Sequence, residues 1–244
     1  LGMTPIRLID LFRYYKRLGH QDAAIHELDQ AINDAAPGLL ARDQDWYSTW
    51  SAAVEAPAPQ WPITKAELGQ IMLCRPESLS DDLMDDLARC CEVFKIDTRT
   101  ELAHFLGQCG HESAGLRYSV EIHSGSNYEG RQDLGNVHPG DGVKFAGTGW
   151  LQCTGRYNHQ RFSDYLASIG KPDPKVMQLG KTYTSEIYPW TISGFWWHDN
   201  KMKRLIQQGA SIDQVGARVN GRMPPNGAQD RRDYTARAFK VLRV

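Results

Sequence analysis

The sequence predicts a mainly α-helical protein: a large helical domain preceded by a small helical module. Three observations carry this. Apolar residues recur at helical spacing along most of the chain, helix-start signals stand ahead of those runs, and no convincing long strand pattern occurs. The 244 residues are 41% apolar and 23% charged. That balance is ordinary for a globular protein and excludes disorder as the main state. At ~150 residues per domain the length fits one large domain with an appendage. No apolar run approaches the ~18 residues that a membrane span needs.

The elements follow in order. Ile6, Ile9, Leu11, Phe12 and Tyr15 share a helical spacing, as do Ile25, Leu28 and Ile32. They predict two or three short amphipathic helices within residues 4–54. Pro57, Pro59 and Pro62 then forbid a helix and favour an extended spacer. This divides the chain into a module at 1–56, a linker at 57–62 and a main domain at 63–244. Thr64 with Glu67 three residues on has the pattern of a capping box. Ser80-Asp81-Asp82 opens a helix that carries Leu83, Met84, Leu87, Cys90, Cys91 and Phe94 on one face. Asp97 or Thr98 caps the next, which runs to about Ser113 and stops before Gly115. Residues 122–149 hold seven glycines and few apolar groups, and so read as loop. Leu151 to Thr154 leads into a helix from Arg156 to Ser168. Further helices are expected near 184–199, 200–208, 211–219 and 228–242.

Five cysteines without a CxxC pair argue against a disulfide framework or a zinc ribbon, and about four of the five read as small buried side chains. Arg7, Asp10, Arg13, Lys16 and Arg17 interrupt the N-terminal apolar residues, so no secretory signal is expected. The formal charge of −1 conceals an asymmetry: residues 201–244 hold 10 basic and 3 acidic side chains, a net of +7. A basic segment of this kind is either a solvated helix face or a contact for an anionic partner. Trp190, Trp196 and Trp197 lie in a helical stretch and read as core. Trp150 stands evenly between core and an open groove, and Tyr128 reads as exposed.

The sharpest chemical signal is on the helix ending near Ser113. Leu102, Phe105 and Cys109 form an apolar stripe, and Glu112 continues it at the last turn. Burial and the negative end of the helix dipole would both raise the pKa of this carboxyl, which makes Glu112 a candidate proton donor. A side chain swung into water is the plainer alternative. Glu121 follows in a polar, glycine-bearing stretch where a carboxylate stays ionised. Two acids in unlike settings are a mark of divided acid and base roles. A surface Glu121 without a role is the plainer alternative.

His111-Glu112-Ser113, the run Gly147-Thr148-Gly149-Trp150-Leu151-Gln152-Cys153-Thr154-Gly155-Arg156-Tyr157-Asn158, and Val219-Asn220-Gly221 occur in that order. Together they resemble glycoside hydrolase family 19, the family of plant-type chitinases and many phage endolysins. The resemblance covers roughly residues 61–244. Gln108 to Ser113 is closer in wording to the endolysin branch. The resemblance implies a lysozyme-like, chitinase-like helical fold with a cleft. It puts the general acid at Glu112, the general base at Glu121 and the water-holding hydroxyl at Thr154. It implies that Gln152, Tyr157 and Asn158 line the sugar cleft, that Asn220 contacts substrate and that Arg231 supports the base. Tyr128 and Trp150 join the substrate-binding candidates. The chain departs from the family in Gly147-Thr148-Gly149, where an arginine is usual, in Cys153, and in Arg222-Met223-Pro224-Pro225.

The activity so implied is that of an endolysin. It cuts the β-1,4 bond between N-acetylmuramic acid and N-acetylglucosamine of peptidoglycan by inversion, with two carboxyls ~6.5–9.5 Å apart. Peptidoglycan glycan strands are the expected partner of a monomer needing no cofactor and no metal. Neither nucleic acid nor stable membrane insertion is expected. Synthesis in the host cytoplasm and release to the wall follow from the absent signal. The alternatives are a chitinase, a lytic transglycosylase and a silent carbohydrate-binding protein. His-Glu-x-x-His is incomplete at His111-Glu112, and His104 with His111 lacks a third ligand.

Overall fold

A computed structural model describes residues 62–244. The helices expected within residues 4–54 and the spacer up to residue 61 lie outside them. Among the described residues eleven α-helices follow one another. They are α1 (Lys65–Met72), α2 (Asp81–Phe94), α3 (Arg99–Glu112), α4 (Asp141–Lys144), α5 (Arg156–Ser168) and α6 (Lys175–Leu179). Then come α7 (Lys181–Ile187), α8 (Pro189–Asp199), α9 (Met202–Gln207), α10 (Ile212–Asn220) and α11 (Ala228–Leu242). No named strand occurs among these residues. Isolated antiparallel bridges join Val120 to Thr148 and Thr148 to Cys153.

Local chemistry sets the helix starts. The Thr64 hydroxyl accepts from Glu67 N at 3.1 Å while Glu67 Oε2 accepts from Thr64 N at 2.9 Å, a complete capping box. Ser80 Oγ accepts from Leu83 N, and Thr98, rather than Asp97, accepts from Glu101 N. The helix expected at 184–199 is two helices that meet at Tyr188-Pro189. Proline cannot donate into a preceding turn, and the buried Asp86 of α2 caps the new start by accepting from Trp190 N and Thr191 N. The stretch 122–149, expected as loop, contains α4 and two short 3₁₀ turns. Residues 175–179 form a helix that the sequence pattern does not announce.

Helix α3 is the axis of the molecule. It packs most extensively on α11 and also meets α1 and α10, while α8 packs on α2. All residues from Glu101 to Gly110 are buried, so α3 is covered on every side rather than along one stripe. Close approach to α11 requires Gly107: a Cβ there would lie 2.1 Å from Thr235 Oγ1. Trp190 and Trp197 are buried with their rings 5.9 and 5.3 Å from that of Phe105. Four cysteines are buried, Cys74 is half-buried, and all five are free.

Candidate active site

The C-terminal end of α3 delivers Glu112 to the surface at 23% side-chain exposure. The Arg231 guanidinium, 1% exposed in the first turn of α11, donates to Glu112 Oε1 at 2.5 Å and to Gln108 Oε1 at 2.7 Å. Its Nε donates to the Asn226 carbonyl at 2.9 Å. Gln108 and Glu112 are one turn apart on the same face, so the planar fork can reach both. The buried positive charge thus faces the Glu112 carboxyl directly. Arg231 therefore supports Glu112, not Glu121 as the resemblance implies. Glu112 Oε2 has no hydrogen-bond partner among the described residues. Asn220, the last residue of α10, joins this group through the same loop: its Oδ1 accepts from Asn226 N at 2.8 Å. His111 Nδ1 lies 2.6 Å from Asp230 Oδ2 and braces the end of α3 against α11.

Glu121 stands in a different frame. Its Oε2 accepts from Gly147 N at 3.0 Å and its Oε1 from the Tyr128 hydroxyl at 2.9 Å. The Glu121 backbone N also donates to Gly147 O. Burial, and then the hydrogen bond to Glu121, push the Tyr128 hydroxyl above its ordinary range, so it remains a donor at neutral pH. Tyr128 is half-buried and tied to Glu121, not the exposed ring expected from its pattern. Gly147 is glycine for a reason of space: a Cβ would lie 2.5 Å from Gln152 Oε1 and 3.1 Å from Glu121 Oε2. Gln152 therefore flanks Glu121. The Thr154 hydroxyl donates to Gln152 O at 2.9 Å, and Asn158 Nδ2 donates to Thr154 O at 2.7 Å.

A short folded tether joins the two groups. Ser113 O accepts from Arg117 N and Tyr118 N, and Ser113 Oγ accepts from Leu116 N. Ala114, Gly115 and Leu116 all take positive φ, which turns the chain back on itself directly after Glu112. Gln152 Nε2 reaches the end of this tether at Tyr118 O, 3.5 Å away.

Two candidates fall outside both groups. Trp150 is 5% exposed with its ring 5.6 Å from Trp190; it is a core residue, because the turn at Gly149 directs it inward against α8. Tyr157 is exposed, with the Arg161 guanidinium 5.4 Å from its ring. Burial pushes the Cys153 thiol up to about 12, and burial with the nearby Glu101 charge does the same to Cys91, so neither offers a thiolate. Among the described residues no three metal-ligating side chains come together. His104, held by burial at about 4, packs edge-on against Phe239.

No family model matches the chain. A Haemophilus influenzae protein described as glycosyl hydrolase family 19 domain-containing is 24% identical over 164 residues, covering 54% of this chain and 76% of that protein. Chitinase C from Streptomyces griseus HUT6037 superposes with a TM-score of 0.57 at 19% identity, covering 77% of this chain and 95% of the chitinase. A bacterial family 19 chitinase gives a TM-score of 0.55 at 22% identity, with coverages of 74% and 95%.

The chain is similar in sequence to a family 19 protein and in fold to family 19 chitinases. Its mainly helical architecture is the fold of those chitinases. Within this site, the sequence pattern gave no role to Gln108, Gly147 or the loop carbonyl of Asn226. Gln108 carried a signal, a polar residue one turn before Glu112 inside an apolar helix. Gly147 stood in a motif without a role of its own and Asn226 carried no signal, since what they do depends on segments remote in the chain.

Proposed function

We propose that this chain is a family 19 glycoside hydrolase that cuts the β-1,4 bond between N-acetylmuramic acid and N-acetylglucosamine in bacterial peptidoglycan, with inversion. One observation carries the reading: the two carboxyls are mounted in opposite ways. Arg231 occupies Glu112 Oε1 and leaves Oε2 open. Both oxygens of Glu121 accept hydrogen bonds.

In this mechanism Glu112 Oε2 carries the proton and gives it to the glycosidic oxygen as the C1–O bond breaks. Arg231 holds the carboxyl plane and stabilises the carboxylate that remains. A water on the opposite face of the ring loses a proton to Glu121 as its oxygen bonds to C1. The Thr154 hydroxyl donates to Gln152 O and so turns a lone pair outward to accept from that water. The Gly147 and Tyr128 donors fix where the Glu121 lone pairs point.

The endolysin-like wording of Gln108 to Ser113 and the short 122–146 segment support peptidoglycan as the substrate. Chitin is the second reading, favoured by the chitinases among the similar structures. Digestion of purified peptidoglycan and of chitin hexamer, with products followed by mass spectrometry and NMR, tests both. Reducing muramyl or glucosaminyl ends with the α-anomer formed first are expected. A 1,6-anhydro product would replace hydrolysis with transglycosylation, and cleavage of chitin alone would replace the substrate.

A further inference from the structure

A groove of about 560 Å³ lies between α9 and α10. Leu205, Ala217 and Met223 supply its apolar lining, and Gln214, Arg218 and Arg222 its polar lining. Positions 214, 217 and 218 share one face of α10, so helical spacing alone assembles this side.

Two arginines of the basic C-terminal segment border this groove. Arg231 is tied to Glu112, Arg232 to Asp213 and Lys203 to Asp97. Arg218 and Arg222 have no hydrogen bond or ion pair among the described residues, and both are exposed. A guanidinium pair left open beside an apolar lining is complementary to a short chain bearing carboxylates and small aliphatic groups. The groove is tied to the candidate site through the chain. The loop that supplies Met223 and Arg222 runs on to Asn226, whose carbonyl holds Arg231 and whose N–H is held by Asn220.

We propose that this groove binds the acidic stem peptide carried by the lactyl group of N-acetylmuramic acid, with Arg218 and Arg222 pairing its free carboxylates. The assignment rests on the peptidoglycan reading above and adds to it a determinant of specificity. Chitin has neither peptide nor carboxylate, so the groove contributes nothing to its binding.

The test compares wild type with R218A/R222A on intact peptidoglycan, on the same strands stripped of peptide by an amidase, and on chitin hexamer. For intact peptidoglycan KM is expected to rise roughly tenfold with kcat retained. On stripped strands and hexamer KM is expected to stay unchanged. R218K/R222K should recover most of the loss, and added salt should shrink the wild-type advantage. Equal losses on intact and stripped strands, or no loss on either, overturn the assignment. A wild-type enzyme active on hexamer and inert on both muramyl substrates overturns the peptidoglycan reading instead. Titration with N-acetylmuramoyl-alanyl-glutamate then judges the groove separately: binding by wild type and not by R218A/R222A is expected. Failure of wild type to bind, or binding of inorganic polyphosphate in its place, overturns the groove assignment.

Discussion

Glu112 and Glu121 stand nine residues apart and carry the same carboxyl group, yet the molecule holds them by different means. Glu112 is the last residue of a helix buried from Glu101 to Gly110, and its counter-charge is itself buried. Glu121 sits in irregular backbone and is positioned by single hydrogen bonds from Gly147 and Tyr128. The first is coupled to the stability of the core. The second is coupled mainly to the geometry of one loop. Damage at the two sites should therefore separate stability from activity.

The largest effect is expected for Glu112→Gln. Removing the proton donor should lower the rate by at least ~10³-fold, within the range of an acid–base role. The melting temperature should fall too, because buried Arg231 loses its counter-charge. Glu121→Gln should cost about 10²-fold in kcat, with a melting temperature near that of wild type. Calorimetry and glycan digestion on both variants break the comparison if the two melt alike. Arg231→Ala isolates the structural half. Loss of a buried charge partner costs about 3 kcal/mol, or roughly 10 °C in a domain of this size, read by thermal denaturation. Tyr128→Phe isolates the other half. One hydrogen bond of about 1 kcal/mol is lost, so kcat should fall about fivefold at unchanged stability.

The smallest effect concerns pH at the opposite end of α3. Burial is the main cause that raises the Glu101 carboxyl from its ordinary value of 4.5 to about 7. The raised value means that the folded state favours the protonated form. Its contribution to stability is complete below pH 4.5 and is lost as pH rises through about 7. Glu101→Gln stays neutral throughout. The melting temperature of wild type relative to this variant should fall steadily between pH 4.5 and 7, and a flat difference would remove desolvation as the cause.

Much of the fold was legible before any coordinates. The boundaries of α5, the caps at Thr64, Ser80 and Thr98, and the buried tryptophans of α8 follow from local spacing and local hydrogen-bonding chemistry. Helix α6 was not legible, because a five-residue helix has too few turns to show a period. The break at Pro189 was missed where a buried acid from another helix supplies the cap. In the candidate site, the family motifs singled out Glu112, Glu121, Gln152 and Thr154 from their order alone. They misdirected Arg231 and left the side of Trp150 open.

By itself, then, the sequence determined most of the described helices and several of their caps, because those properties depend on neighbours within a few residues. Only the tertiary structure decided which cation faces which acid, since Arg231 reaches Glu112 across 119 positions of chain. The same holds for the space that requires glycine at 147 and for the inward turn of Trp150. Each depends on which segment lies against which, and that is set by the packing of α3 among its neighbours rather than by any local pattern.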